Sequence, residues 1–173
     1  MKRLSRPRRA GERGQVIVLL VIVLATVGGI AWWLFATRAA SEKAARDFAH
    51  EAGLKLGREF DRKFLDVRIG SEVQTRFPSS FRDRLIDHLK RLGVASEEVE
   101  VEGDLTFTDR FFKPHGAMKV HLLYPDGMKA VLYLSISNPH GWWQFDYLNL
   151  AWYPPGQTAP AEGSEPPSPA TVQ

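Results

Sequence analysis

The chain has 173 residues, of which 25% are charged and 44% are apolar, a composition typical of one globular domain. This composition excludes a collagen-like, coiled-coil or wholly disordered chain, and the absence of cysteine excludes disulfides, thiolate zinc sites and thiol nucleophiles. The formal charge of +3 is uneven, because residues 1–14 carry a net +5 and residues 38–173 a net −2. A nucleic-acid-binding domain needs a basic face, so we expect no nucleic-acid partner.

A long apolar segment follows the basic N-terminus. No charged residue lies between Arg13 and Arg38, and residues 16–36 are almost all Val, Ile, Leu, Ala, Gly and Trp. A helix of this length crosses a hydrocarbon core of about 30 Å. Trp32 and Trp33 lie near its C-terminal end, where indole rings favour the membrane interface. The sequence therefore predicts one transmembrane helix.

The basic residues predict the orientation of this helix. Six Lys and Arg precede the span, whereas basic and acidic residues are mixed after it. The positive-inside rule then predicts a basic cytoplasmic tail over residues 1–14, a transmembrane helix over 15–37 and an extracytoplasmic domain over 38–153 of a single-pass inner-membrane protein. A cleaved signal peptide is the alternative, but its apolar region should span only about 7–15 residues. Thr37-Arg38-Ala39 is also a poor cleavage site.

A helix is predicted over residues 41–67, where apolar side chains recur every three or four positions. Beside them lies a stripe of small residues, Ala49, Gly53 and Gly57. Because glycine costs about 1 kcal/mol in a helix interior, we expect this stripe to pack closely against another element. A local break at Gly53 is the alternative.

A second helix is predicted to begin near Pro78 and to end at Gly93, since proline suits the first turn and glycine the end of a helix. Ser80 and Asp83 have the spacing of a capping box. Residues 68–77 are ambiguous and allow a short helical turn.

From residue 98 the apolar period changes to two, which predicts β-strands. Four strands of an antiparallel meander follow, over residues 98–107, 119–124, 130–136 and 142–153. The loop Asp109 to Pro114 separates the first two strands. The turns Pro125-Asp126-Gly127 and Asn138-Pro139-His140-Gly141 separate the others. In the last strand the apolar parity switches, which predicts a bulge near Asp146 and Tyr147 that bends the sheet. The Pro- and Ala-rich residues 154–173 are predicted to be a disordered tail.

The predicted fold is thus α+β, with one transmembrane helix and then two helices packed on a bent four-stranded antiparallel meander. This order resembles the cystatin-like cone of nuclear transport factor 2-like domains. The resemblance rests on the helices ending near Leu65 and Leu92, on the run Tyr124 to Leu134, and on Gly141-Trp142-Trp143-Gln144-Phe145-Asp146-Tyr147-Leu148. It implies a closing strand that packs the sheet against the long helix.

Two other families share parts of this pattern. Cytochrome c oxidase assembly factor 1-like domains are similar in the strands that follow a membrane helix and in a Gly-x-Trp close, but residues 78–93 add a helix. Type IV pilin-like subunits resemble the chain in the basic leader ending at Gly14 and in an apolar helix that becomes amphipathic. The fifth residue after Gly14 is Leu19, however, where that family usually has Glu.

The polar residues form no recognisable catalytic or metal-binding motif. The five histidines lack the i, i+4 spacing of a helical zinc pair, and no phosphate-binding glycine loop or serine elbow occurs. We therefore expect no cofactor, no metal and no enzymatic activity. The alternative is a small-pocket enzyme, in which His121, Tyr133 and Asp146 meet inside a cone-shaped sheet, as the resemblance implies for enzymatic members of the fold.

The last strand carries apolar residues on both parities, and such a strand is usually buried on both sides. One side should meet the helices, and the other needs a protein partner, a second copy or the C-terminal tail. Trp142, Trp152 and Tyr153 are the candidate partner surface. The leading interpretation is a membrane-anchored binding or assembly module; a small-pocket enzyme and a pilin-like structural subunit are the alternatives.

Overall fold

The computed structural model describes residues 11–107 and 113–155, and side chains from Val16 onward. The predicted basic tail and the predicted disordered tail lie largely outside these residues, as does most of the loop that begins at Asp109. The chain forms two compact units, Met1–Ser41 and Glu42–Gln173. The elements are helices α1 (Gly11–Gly57), α2 (Arg62–Arg68) and α3 (Ser79–Leu92), a short 3-10 helix (Ser71–Val73), and strands β1 (Glu100–Phe107), β2 (Pro114–Leu123), β3 (Lys129–Ser137) and β4 (Gln144–Tyr153). The predicted α+β class is confirmed.

The apolar segment lies in α1. Between Val16 and Phe35 nearly every large apolar side chain is 50–78% exposed. This segment is long and apolar enough to cross a membrane, a property that it shares with a signal sequence near an N-terminus. The prediction of a long apolar helix is therefore confirmed.

The predicted helix over residues 41–67 is wrong in one respect, because it is two helices. Helix α1 ends at Gly57 and α2 begins at Arg62, so the break is not at Gly53. Phe60 has a φ of +53°, a left-handed conformation that ends the helical path. The carboxylate of Asp61 then accepts a hydrogen bond from the backbone N–H of Phe64 at 3.0 Å and caps α2.

The small-residue stripe packs against the sheet, as predicted. A Cβ added at Gly53 would come within 2.7 Å of Cγ1 of both Val99 and Val120, and one at Gly57 within 3.0 Å of Leu122. Ala49 is fully buried in the same core. Glycine is therefore required at residue 53 because α1 and the sheet approach too closely for a larger side chain.

Helix α3 has the predicted ends but not the predicted cap. Pro78 is the N-cap and Gly93 the C-cap, with a φ of +93° at Gly93. No side chain caps the N-terminus, so the capping box of Ser80 and Asp83 is wrong. Asp83 instead accepts a hydrogen bond from Nε of Arg62 at 2.8 Å, which ties α2 to α3. The 3-10 helix within residues 68–77 confirms the predicted short turn.

The four strands pair in the order β1-β2-β3-β4, all antiparallel, as the predicted meander requires. Three strands begin at least two residues from the predicted positions: β1 at Glu100 instead of residue 98, β2 at Pro114 instead of residue 119, and β4 at Gln144 instead of Trp142. The register of β4 slips between Ser135 and Ile136 of β3, which leaves Asp146 as the extra residue. The predicted bulge is therefore confirmed.

The bulge overturns the interpretation that β4 is apolar on both sides. Because one extra residue reverses the alternation, Phe145 and Leu148 lie on the same side of the sheet. This side, the core face, shares one hydrophobic core with α1, α2 and α3. The other side, the open face, carries the alternate residues of the four strands: Glu100, Glu102, Asp104, Thr106, His115, Ala117, Lys119, His121, Leu123, Lys129, Val131, Tyr133, Ser135, Ser137, Gln144, Tyr147, Asn149, Ala151 and Tyr153.

Candidate functional site

The three candidate pocket residues lie on the open face, the side of the sheet that does not share the core with the helices. His121 is in β2 and Tyr133 in β3, and both alternate with residues of the core face. Asp146 occupies the bulge and bonds to Ser137 of that same face. The helices lie on the opposite side because α1, α2 and α3 share their core with the other set of strand residues.

A groove of about 540 Å³ crosses the open face. The strand register places Asp104, Ala117, Ser135 and Tyr147 in one row across the sheet. Ala117 and Ser135 in the middle of this row are small, so larger side chains on either side enclose space above them. Tyr133 lines the groove next to Tyr147, together with Glu102, Lys119 and His115. The lining thus combines two phenol rings with charges of both signs.

His121 lines a second groove, of about 490 Å³, at the far end of β2. This groove is also lined by His50 of α1 and by Glu97, Glu98 and Glu100. Nε2 of His121 lies 3.4 Å from Oε2 of Glu102. The structure therefore places the predicted pocket residues His121 and Tyr133 in different grooves.

Asp146 lines neither groove, and its oxygens are occupied by neighbours. The hydroxyl of Ser137 donates to Oδ1 of Asp146 at 2.9 Å, and the amide of Gln144 donates to the same oxygen at 3.3 Å. The other oxygen, Oδ2, lies 3.8 Å from Nδ1 of His115. His115, which precedes the strand predicted over residues 119–124, is in β2 and is the histidine that the fold brings to Asp146. Sequence reasoning missed this pair because the bulge sets which residues of β4 reach β2 across β3.

The three residues of the predicted partner surface do not form one surface. Trp142 precedes β4 and is 61% exposed, whereas Trp152 is near the other end of the strand and is 50% exposed. Trp152 pairs with Ala130 of the core face and lies beside His88 of α3, with ring centroids 5.5 Å apart. Tyr153 follows on the open face.

Tyr153 and Tyr133 lie on the open face and interact with each other. Burial, and then the interaction with Tyr133, raise the pKa of Tyr153 to about 12. In β3, Val131 lies between Tyr133 and Lys129, the residue that pairs with Tyr153. Val131 is only 1% exposed, although it belongs to the open face. A small apolar cluster therefore stands beside the first groove.

The described ranges, 11–107 and 113–155, contain no group of three His, Cys, Asp or Glu side chains arranged to hold a metal ion. No protein-family model, curated protein or solved structure matches this chain.

Proposed function

We propose that this chain is a single-pass, membrane-anchored binding or assembly module, with its α+β domain on the extracytoplasmic side of a cell inner membrane. The observation that carries the proposal is the exposure, at 50–78%, of nearly every large apolar side chain of α1 between Val16 and Phe35. A continuous apolar surface of this size is unfavourable in water, and lipid is the solvent that removes the cost. The net charge of +5 before the span and the mixed charges after it support the orientation.

The open face supports binding more than catalysis. Acid–base catalysis by His121 and Asp146 together needs both groups within hydrogen-bond reach of one substrate. His121 and Asp146 line no common groove, and Asp146 is already bonded to Ser137 and Gln144. The groove beside Tyr133 and Tyr147 offers aromatic surface with polar neighbours, a combination that is frequent where proteins bind other proteins.

Photo-crosslinking in intact membranes tests this proposal. The crosslinking amino acid p-benzoylphenylalanine replaces Tyr147, which is exposed and lines the groove. A second change, Ala117→Arg, fills the groove from an exposed position, and Gln74→Arg adds the same charge to an exposed turn outside it. We expect a crosslinked protein product that Ala117→Arg abolishes and Gln74→Arg leaves intact.

Two results would contradict the proposal. One is a chain that alkaline carbonate extracts from membranes, because the anchor would then be wrong. The other is a crosslinked product that Ala117→Arg does not reduce, because the binding surface would then lie elsewhere.

A further inference from the structure

The turn between β3 and β4 presents an exposed tryptophan. Its residues are Asn138, Pro139, His140, Gly141 and Trp142, and the last four are exposed. Gly141 has a φ of +84°, a conformation that favours glycine and directs the chain back into β4. The side chain of Trp142, 61% exposed, is not needed for the core, in contrast to that of Trp143, which is 8% exposed.

Neighbouring segments hold the base of this turn in place. Nη1 of Arg68 donates to the carbonyl oxygen of Trp143 at 3.4 Å. The N–H of Gly70 donates to the carbonyl oxygen of Phe145 at 3.1 Å. Arg68 is itself fixed, since its guanidinium lies over the ring of Phe48, 5.5 Å from the centroid. The backbone that follows Trp142 is therefore held in place by contacts with α2 and the segment after it.

The turn lies at the end of the sheet that contacts the earlier part of α1. Phe48 packs against Phe145, with ring centroids 5.1 Å apart, whereas Gly57 approaches Leu122 near the other end of the sheet. Phe48 is closer in sequence to the apolar segment than Gly57 is. Fewer residues thus separate the apolar segment from the end of the sheet with Trp142 than from the end with Leu122.

We propose that Trp142 inserts into the headgroup region of the same bilayer that holds α1, giving the domain a second contact with lipid. This inference rests on the proposed membrane anchor. Indole rings favour the interface between water and hydrocarbon, because one part of the ring is apolar and its N–H can be hydrated. The turn carries no acidic side chain and so does not repel anionic headgroups, whereas the turn at the opposite end contains Asp126.

Lipid fits this turn better than a second protein does. A stable protein interface buries at least about 1,200 Å² in total, and its centre is a patch of several packed side chains. The turn offers one large apolar side chain flanked by Pro139, His140 and Gly141. A single tryptophan is enough for shallow insertion into a bilayer but too little for such a patch.

A fluorescent reporter on the turn tests this inference, and the absence of native cysteine permits unique labelling. The full chain is reconstituted in lipid nanodiscs with an environment-sensitive dye on His140→Cys, which leaves Trp142 in place. Asp126→Cys, in the exposed turn at the opposite end of the sheet, is the matched control. With lipids spin-labelled at the headgroup, we expect loss of fluorescence at position 140 and little loss at 126. Adding Trp142→Ser to His140→Cys should reduce the loss to that of the control.

Equal, weak quenching at both positions by the labelled lipid would overturn the inference. So would a reporter at position 140 that is shielded from aqueous iodide without being quenched by lipid, because a second copy of the chain would then cover the turn. A dye on Leu24→Cys separates this failure from that of the anchor. If lipid protects position 24 but not 140, only the second contact is wrong; if position 24 is also open to water, the proposed anchor is wrong.

Discussion

Phe145 and Tyr147 are two residues apart in β4 and yet face opposite sides of the sheet. In a regular strand they would share a face. Phe145 instead pairs with Ile136 and is fully buried, while Tyr147 pairs with Ser135 and is 38% exposed. The extra residue, Asp146, is held by the hydroxyl of Ser137. The bulge thus separates the aromatic residues of the core from those of the candidate binding face.

This separation predicts unequal effects of two similar changes. Phe145→Ala removes a buried ring that packs against Phe48 and Phe64, and such changes cost about 3–5 kcal/mol. Tyr147→Ala should cost less, about 1–2 kcal/mol, because its ring is 38% exposed and its ring contact is with Phe77, at 6.2 Å between centroids. Chemical denaturation of the full chain in detergent, followed by circular dichroism, measures both. Equal losses of unfolding free energy in the two variants would mean that Tyr147 is as buried as Phe145.

Alanine substitutions of the two adjacent tryptophans should have different effects on stability. Trp143 is 8% exposed, so Trp143→Ala should lower the free energy of unfolding by about 3–5 kcal/mol. Since domain stabilities are typically about 5–15 kcal/mol, this variant should be marginal or unfolded. Trp142→Ala should leave the domain folded within about 1 kcal/mol of the original. The same denaturation measurement separates them, and a stable Trp143→Ala variant would show that the register of β4 is wrong.

Gly53→Ala should destabilise the domain even though alanine is the better helix former by about 1 kcal/mol. The added Cβ would lie 2.7 Å from Cγ1 of Val99 and of Val120, and overpacking of this kind costs about 1–3 kcal/mol. Removing one of the crowded groups with Val99→Ala in the same chain should recover part of the loss. Thermal unfolding of the single and double variants tests the coupling, and additive losses would argue against the contact.

High pH should unfold the domain through two tyrosines. Burial raises the pKa of Tyr124 to about 12, with Asp126 adding to the shift, and the pKa of Tyr153 is also about 12. Between about pH 10 and 12 the unfolded chain loses these protons while the folded domain keeps them, so stability is full below pH 10 and falls as the pH rises. The slope is at most about 1.4 kcal/mol per pH unit for the buried Tyr124, and it is smaller for Tyr153, because solvent screens the partly exposed side chain.

Tyr124→Phe isolates one of these contributions. The hydroxyl of Tyr124 is buried without a hydrogen-bond partner, so its removal should leave the neutral-pH stability unchanged or raise it by about 1 kcal/mol. The fall in stability above pH 10 should become less steep. An unchanged alkaline unfolding curve, measured by circular dichroism, would contradict the raised pKa.

The proposed orientation of α1 in the membrane is testable with a reporter enzyme. Alkaline phosphatase fused after Tyr153 should be active in a bacterial host, because this enzyme folds only after export. Replacing Arg3, Arg6, Arg8 and Arg9 by neutral residues removes most of the positive charge before the span and should weaken or invert the orientation. A fluorescent protein that fluoresces only in the cytoplasm, fused at the same position, provides the opposite control. Its fluorescence in the chain that retains all four arginines would contradict the proposed topology.

Local signals predicted much of this fold. Pro78 and Gly93 marked the ends of α3, and the alternation after residue 98 marked the strands, because both patterns reflect local backbone preferences. The break at Phe60 was missed since the apolar period continues across it: Phe60 and Phe64 both pack against the same core from different segments. Asp61 was the available signal, as a good N-cap residue within a supposed helix interior.

The candidate site was harder to predict because it depends on pairing between distant strands. The switch in the apolar alternation of β4 correctly indicated the bulge. The apolar residues before and after the switch were then assigned to opposite faces of the sheet, whereas the bulge places them on the same face. The same slip brings His115 to Asp146, whereas the pairing of β1 with β2 places His121 beside Glu102. A contact of this kind follows from the register of three strands together, which no local pattern specifies.

The charge on β1 has a consequence for crowding. This strand is the edge of the sheet, and its open-face side chains Glu100, Glu102 and Asp104 are all exposed. Copies anchored in one bilayer would diffuse in two dimensions and meet far more often than molecules free in solution. Pairing of two β1 edges would align rows of carboxylates, and this repulsion opposes it. The acidic residues would thereby oppose the joining of two neighbouring sheets through their β1 strands.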